Sequence, residues 1–252
     1  MSSYYYFDNH NLPVLEEELI KVLLKIVKKQ GLKISEKMIM EELEKGKNRK
    51  RKKRYSRKRT NLYIDGTNFF AGQNELFGPK KFLYFPSFLK EANRLFSIDR
   101  IYFYASYMSK LNLENKESKA LISVEAQFYR QVKSTPKAFF YKGHRSPTSG
   151  KEKGVDVHLA VDVVKDAFLE RYDQVVIMTG DADLIYPLQI VKRLGIPVHA
   201  LFLPNRFSLE MAYRVDSAIV FNYKNKFQFS KRKLPKHLKV VNIKSPVCKH
   251  TG

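Results

Sequence analysis

Three stretches of the chain place carboxylates where they could do chemistry. "NLYIDGTNFF" carries Asp65, "KEKGVDVHLAVDVV" carries Asp156, and "VVIMTGDADLIYPLQIVKRLGIPV" carries Asp181 and Asp183 directly after Gly180. Carboxylates held within several ångströms repel, so some must take up protons or a cation must sit among them. An all-oxygen set suits Mg²⁺ or Mn²⁺, with coordination positions left for water and phosphate oxygens. Such an ion activates water and stabilises the charge that develops at phosphorus during phosphodiester hydrolysis. Each acid also has a plain structural reading. An Asp after a strand commonly caps the next helix or closes an Asx turn. Asp183 could cap a helix whose first turn holds Pro187, and Asp156, after Gly154, could simply help a helix to start. Asp162 and Asp166 lie one turn apart on that same helix. At ~100° per residue Asp162 is rotated by about 120° from Asp156, which makes it a second-tier candidate and Asp166 a surface residue. Spacing alone leaves the functional and structural readings both open.

The elements around these acids repeat in a definite rhythm from Thr60 onward. Apolar β-type runs fall at Leu62–Ile64, Ile101–Ala105, Ala138–Tyr141, Val175–Met178, Val198–Leu203 and Ala218–Phe221. Helical patterns separate them at Ser87–Phe96, Ser118–Val132, Val157–Leu169, Pro187–Leu194 and Leu209–Tyr213. Strands alternating with helices predict an α/β domain over 60–223, with a mostly parallel sheet covered on both faces. In such sheets ligands bind beyond the carboxyl ends of the strands, which is where Asp65 and Asp181 fall.

Before that domain, residues 1–45 read as a small helical N-terminal segment. Two helices over 14–43 are broken at Gly31, either a fragment of a helix-turn-helix or a plain packing hairpin, and a surface for a protein partner. Residues 46–59, "GKNRKRKKRYSRKR", hold ten basic side chains in fourteen and read as a linker, an RNA-grasping arm or, in an organism with a nucleus, a nuclear-localisation-like run, disordered unless a polyanion is present. Residues 224–252 form a basic C-terminal tail with nine basic and no acidic residues, in which Leu238–Ile243 could add an edge strand.

Charge decides the class of partner. The chain carries 47 Lys and Arg against 25 Asp and Glu, a net +22, of which residues 1–59 and 224–252 supply +9 each. Ends of this kind bind a polyanion, nucleic acid first, because neutralising phosphates releases counterions; an anionic membrane surface is the alternative. One cysteine, Cys248, excludes an intramolecular disulfide and a cysteine-rich zinc site, and the six histidines form no closely spaced ligand pair. With no apolar run long enough to span a bilayer and no signal-peptide pattern at the start, a soluble cytoplasmic setting is expected.

"YIDGTNFF", "KEKGVDVHLAVD" and "VVIMTGDADLIYPLQIVKRLGIPV", in this order and spacing, resemble the NYN domain, a PIN-like nuclease fold, and especially its LabA-like group. The resemblance runs from about Asn61 to Phe221 and includes the closing "SLEMAYRVDSAIVF". It implies a three-layer α/β/α sandwich with a Rossmann-like (PIN-like) sheet, an acidic pocket and, as in active members, metal-dependent RNA cleavage. Carried over residue by residue, it makes Asp65, Asp156, Asp181 and Asp183 the metal-holding acids. Asn68 becomes the pocket amide toward a bound water or phosphate. Thr179 becomes the hydroxyl that bonds a metal ligand or the scissile phosphate. Asp162 matches an acid of the LabA-like group, and Leu184 stands where an aromatic is more usual.

The implied activity is a Mg²⁺- or Mn²⁺-dependent ribonuclease, an endonuclease, acting on single-stranded RNA through activated water with no side-chain nucleophile. Lys142, His144, Arg145, Lys151 and Lys153 flank Asp156 in "YKGHRSPTSGKEKG" and either hold neighbouring phosphates or form a solvated loop. Tyr141 and Phe70 either stack on bases or belong to the core. Two other functions share these features: a flap-type DNA nuclease, and a non-catalytic RNA-binding adaptor. A haloacid-dehalogenase phosphatase is set aside, because its motif needs an Asp where Tyr63 stands.

Overall fold

The chain divides into two units, Met1–Arg57 and Lys58–Gly252. The computed structural model describes residues 57–108, 116–145, 152–229, 233–244 and 247–249. The expected N-terminal helices, the basic run up to Ser56 and Lys151 lie outside the described residues.

Seven parallel strands form the central sheet. They are β1 (Thr60–Asp65), β3 (Arg100–Ala105), β4 (Ala138–Lys142), β7 (Gln174–Met178), β8 (Val198–Phe202), β9 (Ser217–Tyr223) and β10 (Leu238–Ile243), in the order β10-β9-β8-β7-β1-β3-β4. Side chains alternate across a strand, and each strand divides its residues between two cores. Leu62, Ile64, Phe103, Val176 and Met178 face one core, with α1 (Gly66–Phe77), α2 (Phe85–Phe96) and α3 (Lys116–Ser134). Tyr63, Tyr104, Val175 and Ile177 face the other, with α4 (Val155–Phe168), α5 (Ile185–Arg193) and α6 (Leu209–Arg214). This is the three-layer α/β/α arrangement. Every residue of β1 is buried, as a central strand covered on both faces requires.

Two elements carry more than their local sequence announces. α1 has glycines at Gly66 and Gly72 and no clean polar face, so its helical period is weak. It forms because Phe69 and Phe70 bury against α2 and α3, and Phe77 against Tyr223 of β9. At Gly66 a Cβ would fall 2.1 Å from the Phe103 ring, so the helix can sit this close to β3 only with glycine there. In the expected tail, β10 extends the sheet parallel to β9, and β11 (Val247–Lys249) pairs antiparallel with β2 (Lys81–Leu83). Among the described residues no helix is long and apolar enough to cross a membrane.

Candidate active site

The chain runs from β1 outward to β3 and β4, then crosses back to place β7 on the other side of β1. That reversal opens a crevice at the carboxyl ends of β1 and β7, the place where doubly wound sheets bind ligands. Ile64 lies opposite Met178, so the residues that follow, Asp65 and Thr179, leave the sheet side by side.

A continuous set of hydrogen bonds ties these residues together. Asp65, 3% exposed, accepts from the Asn68 backbone N–H through Oδ1 at 2.9 Å and from the Thr179 hydroxyl through Oδ2 at 2.9 Å. The Thr179 oxygen accepts from the Asp181 N–H at 3.0 Å, and Asp181 Oδ1 accepts from the Asp183 N–H at 2.9 Å. The Asn68 side-chain oxygen accepts from the Gly180 N–H at 3.2 Å, which leaves its amide NH₂ as the free polar end. The cap reading holds for two of these acids. Asp65 caps α1 with one oxygen, and Asp181 caps the short 3₁₀ turn Ala182–Leu184. Asp183 is not the cap: α5 starts after Leu184 with no side-chain cap, and the Asp183 side chain is exposed. Thr179 is buried and donates its only hydroxyl proton to Asp65, so it braces the acid and has no donor left for a phosphate. Gly180 packs against the following loop so closely that a Cβ would meet the Arg206 carbonyl oxygen at 2.6 Å.

Asp156 sits in the first turn of α4, exposed, after Gly154 at φ 78°. A Cβ on Gly143 would lie 2.2 Å from Val155 Cγ2, so this helix starts against the carboxyl end of β4, at the same edge as Asp65 but on the β4 side. Among the described residues no group of three or more His, Cys, Asp or Glu side chains is drawn close enough to hold a metal ion. The donor set of Asp65, Asp181 and Asp183 is all oxygen. It fits an ion held by one or two carboxylates that keeps several waters, the habit of Mg²⁺, and does not form a closed protein cage.

The acids on α4 differ from the sequence expectation. Asp166 is not a surface residue. It is 2% exposed and accepts from the Tyr63 hydroxyl at 2.7 Å and from Arg171 Nη1 at 2.9 Å. It belongs to the inward stripe with Val155, Leu159, Val163 and Ala167, where the phenol and guanidinium compensate its charge. Asp162 is half-buried, accepts from the Tyr104 hydroxyl at 2.9 Å and pairs with Lys165. Burial first, and the neighbouring carboxylates second, push both phenols well above their ordinary pKa. Tyr63 and Tyr104 therefore stay protonated, as hydrogen-bond donors beneath the site.

The basic candidates lie on the β4 side. Lys142 is exposed, with Nζ 5.6 Å from the Tyr107 ring centroid. His144 is exposed and lies in a two-strand ladder, β5 (His144–Arg145) with β6 (Glu152–Lys153). Tyr141 is half-buried and stacks on His158 at 4.4 Å. Phe70 is not placed to stack on a base: it is 6% exposed and packs on Phe128 and Tyr129. Sequence reading missed Arg206, whose backbone abuts Gly180 of the acidic turn. Its only signal was its place in the loop after a strand that ends at this edge.

The NYN domain family profile matches residues 59–222. The chain belongs to the NYN domain family. NYN domains are generally nucleases that act on nucleic acid and typically use divalent metals, so the crevice belongs to a hydrolase-type, nuclease-like fold. No curated protein matches the sequence. A crystal structure of a protein of unknown function from Vibrio parahaemolyticus is similar at TM-score 0.48 and 13% identity, over 65% of this chain and 92% of that one.

Proposed function

We propose that this NYN domain is a Mg²⁺- or Mn²⁺-dependent ribonuclease, an endonuclease, that hydrolyses single-stranded RNA at the carboxyl ends of β1 and β7. The observation that carries the reading is the hydrogen-bonded set Asp65–Thr179–Asp181–Asp183, with Asn68 on Gly180, at the switch point of the sheet. Asp65, Asp181 and Asp183 would hold the ion, and Asp156 would approach it from the β4 side. A divalent ion there supplies Lewis-acid stabilisation of the charge that builds on the phosphoryl oxygens and activates water. The chain's own contribution is positioning. Thr179 fixes the Asp65 carboxylate, and the free Asn68 amide is the donor toward a phosphate oxygen or the attacking water. Lys142, His144, Arg145, Lys151 and Lys153 would bind flanking phosphates, and the basic ends would add affinity.

The basic ends, +9 each, support one second reading, an RNA-binding adaptor without catalysis. End-labelled single-stranded RNA and matched DNA, incubated with Mg²⁺, Mn²⁺ or EDTA and with wild type or Asp181→Asn, separate the two. Metal-dependent RNA cleavage lost in the variant supports the nuclease. RNA bound but left intact by both proteins supports the adaptor, and preferential cleavage of DNA would overturn the choice of substrate.

A further inference from the structure

We infer that Arg206 is a phosphate-binding residue of this site, stored against α1 by Glu75 and handed to the RNA backbone on binding; the inference rests on the ribonuclease reading. Arg206 follows β8 in the loop Leu203–Ser208 and, with Asn68 and Thr179, borders a narrow interior gap too small to admit a water molecule. Its backbone abuts Gly180, and its stem runs over Gly72, where a Cβ would meet Arg206 Cγ at 2.7 Å. It is thus fixed to both the acidic turn and α1.

The side chain is incompletely satisfied in this pose. Nη2 donates to Glu75 Oε1, whereas Nε is buried with no hydrogen-bond partner. An unmet buried donor on a charged group is costly. The partner that holds the pose is weak by contrast, because Glu75 is 54% exposed and its attraction is screened by solvent. Asn205 also donates to Glu75, at 2.8 Å, so the carboxylate keeps a partner if the arginine leaves. Once the guanidinium swings off Glu75, a phosphate beside α1 offers two oxygens to the fork of Nε–H and Nη2–H, satisfying the orphan donor and replacing Glu75 in one exchange. Arg206 would then hold the backbone on the α1 side of the crevice, across from the cations on the β4 side.

The test measures binding of a labelled single-stranded RNA oligonucleotide to the full chain in EDTA, over a range of salt, beside cleavage with Mn²⁺. Arg206→Met keeps the aliphatic stem over Gly72, and Glu75→Gln removes the competing charge. Arg206→Met should bind about tenfold more weakly, the scale of one charge-assisted hydrogen bond. Its slope on log salt should be shallower by about 0.7, one phosphate contact on a single strand. Glu75→Gln should bind about two- to threefold more tightly, since it removes only a screened surface attraction, and the double variant should match Arg206→Met. Thermal unfolding confirms that each variant is folded; Arg206→Lys, which retains the charge but not the fork, should recover the slope but not the full affinity and replaces Arg206→Met if that variant is unfolded. Wild type that binds and cleaves, with Arg206→Met unchanged in affinity and slope, overturns the assignment of Arg206 alone. Weaker binding by Glu75→Gln overturns the exchange. A wild type that neither binds nor cleaves RNA overturns the ribonuclease reading, and this inference with it.

Discussion

Thr179→Val replaces a buried hydroxyl by a methyl group of nearly the same size, so its effect reads out hydrogen bonding rather than packing. The hydroxyl makes two bonds, donating to the Asp65 carboxylate and accepting from the Asp181 N–H. A hydrogen bond to a charged group contributes about 1.5–3 kcal/mol and a neutral one about 0.5–1.5 kcal/mol. The substitution should therefore cost about 2–4.5 kcal/mol. At about 2–4 °C per kcal/mol for a domain of this size, the melting temperature should fall by about 4–18 °C. Circular dichroism of the full chain in EDTA gives the shift, and urea titration gives the free energy. The charge of Asp65 is responsible for the larger share, so the same change made in an Asp65→Asn background should cost at least about 1 kcal/mol less. A Thr179→Val variant that melts within about a degree of wild type, or equal costs in the two backgrounds, would refute the claim that Thr179 braces Asp65.

Asp181→Ala should lose about 0.5–2 kcal/mol, because its side chain caps the 3₁₀ turn, whereas Asp183→Asn should leave unfolding almost unchanged. If Asp183 holds the ion, Asp183→Asn should nonetheless weaken Mn²⁺ binding in a calorimetric titration; unchanged affinity counts against it as a ligand. His199 is shifted below its ordinary pKa by burial, with Lys58 adding to the effect and Asp216 opposing it. Its unfolded form therefore binds the proton more readily, and stability is lost as pH falls from about 6.5 toward the lower folded value. His199→Asn, able to keep the bond to Ser217, should flatten the decline in melting temperature over that window; an unaltered profile would assign the decline to other groups. Removing residues 1–57 should weaken RNA binding and make its salt dependence shallower, and an unchanged slope would show that this segment does not touch phosphate.

Local period and composition carried much of this protein into view. The strands ending at Ile64 and Met178 and the helices on Val157 and Leu209 were legible because pleat and helix impose periods of 2 and 3.6 on a chain that must bury one face. Asp65, Asp181 and Asp183 were legible as a group because each follows a strand in a parallel sheet, and three motifs in order placed them in one family. What the sequence could not supply was pairing at a distance. Thr179 reaches Asp65 across 114 residues of chain only because β7 aligns with β1, and no local pattern encodes that register. α1 was invisible for a related reason, since it is held by phenylalanines packing on helices that come later in the chain. Asp166 looked like surface because a charge is normally solvated. Its burial became possible only when the fold brought Tyr63 and Arg171 to it. Arg206 is the same case: an ordinary loop arginine in the sequence, and in the fold a guanidinium laid over α1 against Glu75 with one donor unmet. Sequence determines which faces must be buried and which residues end the strands; the partners of each polar group exist only once the sheet has closed.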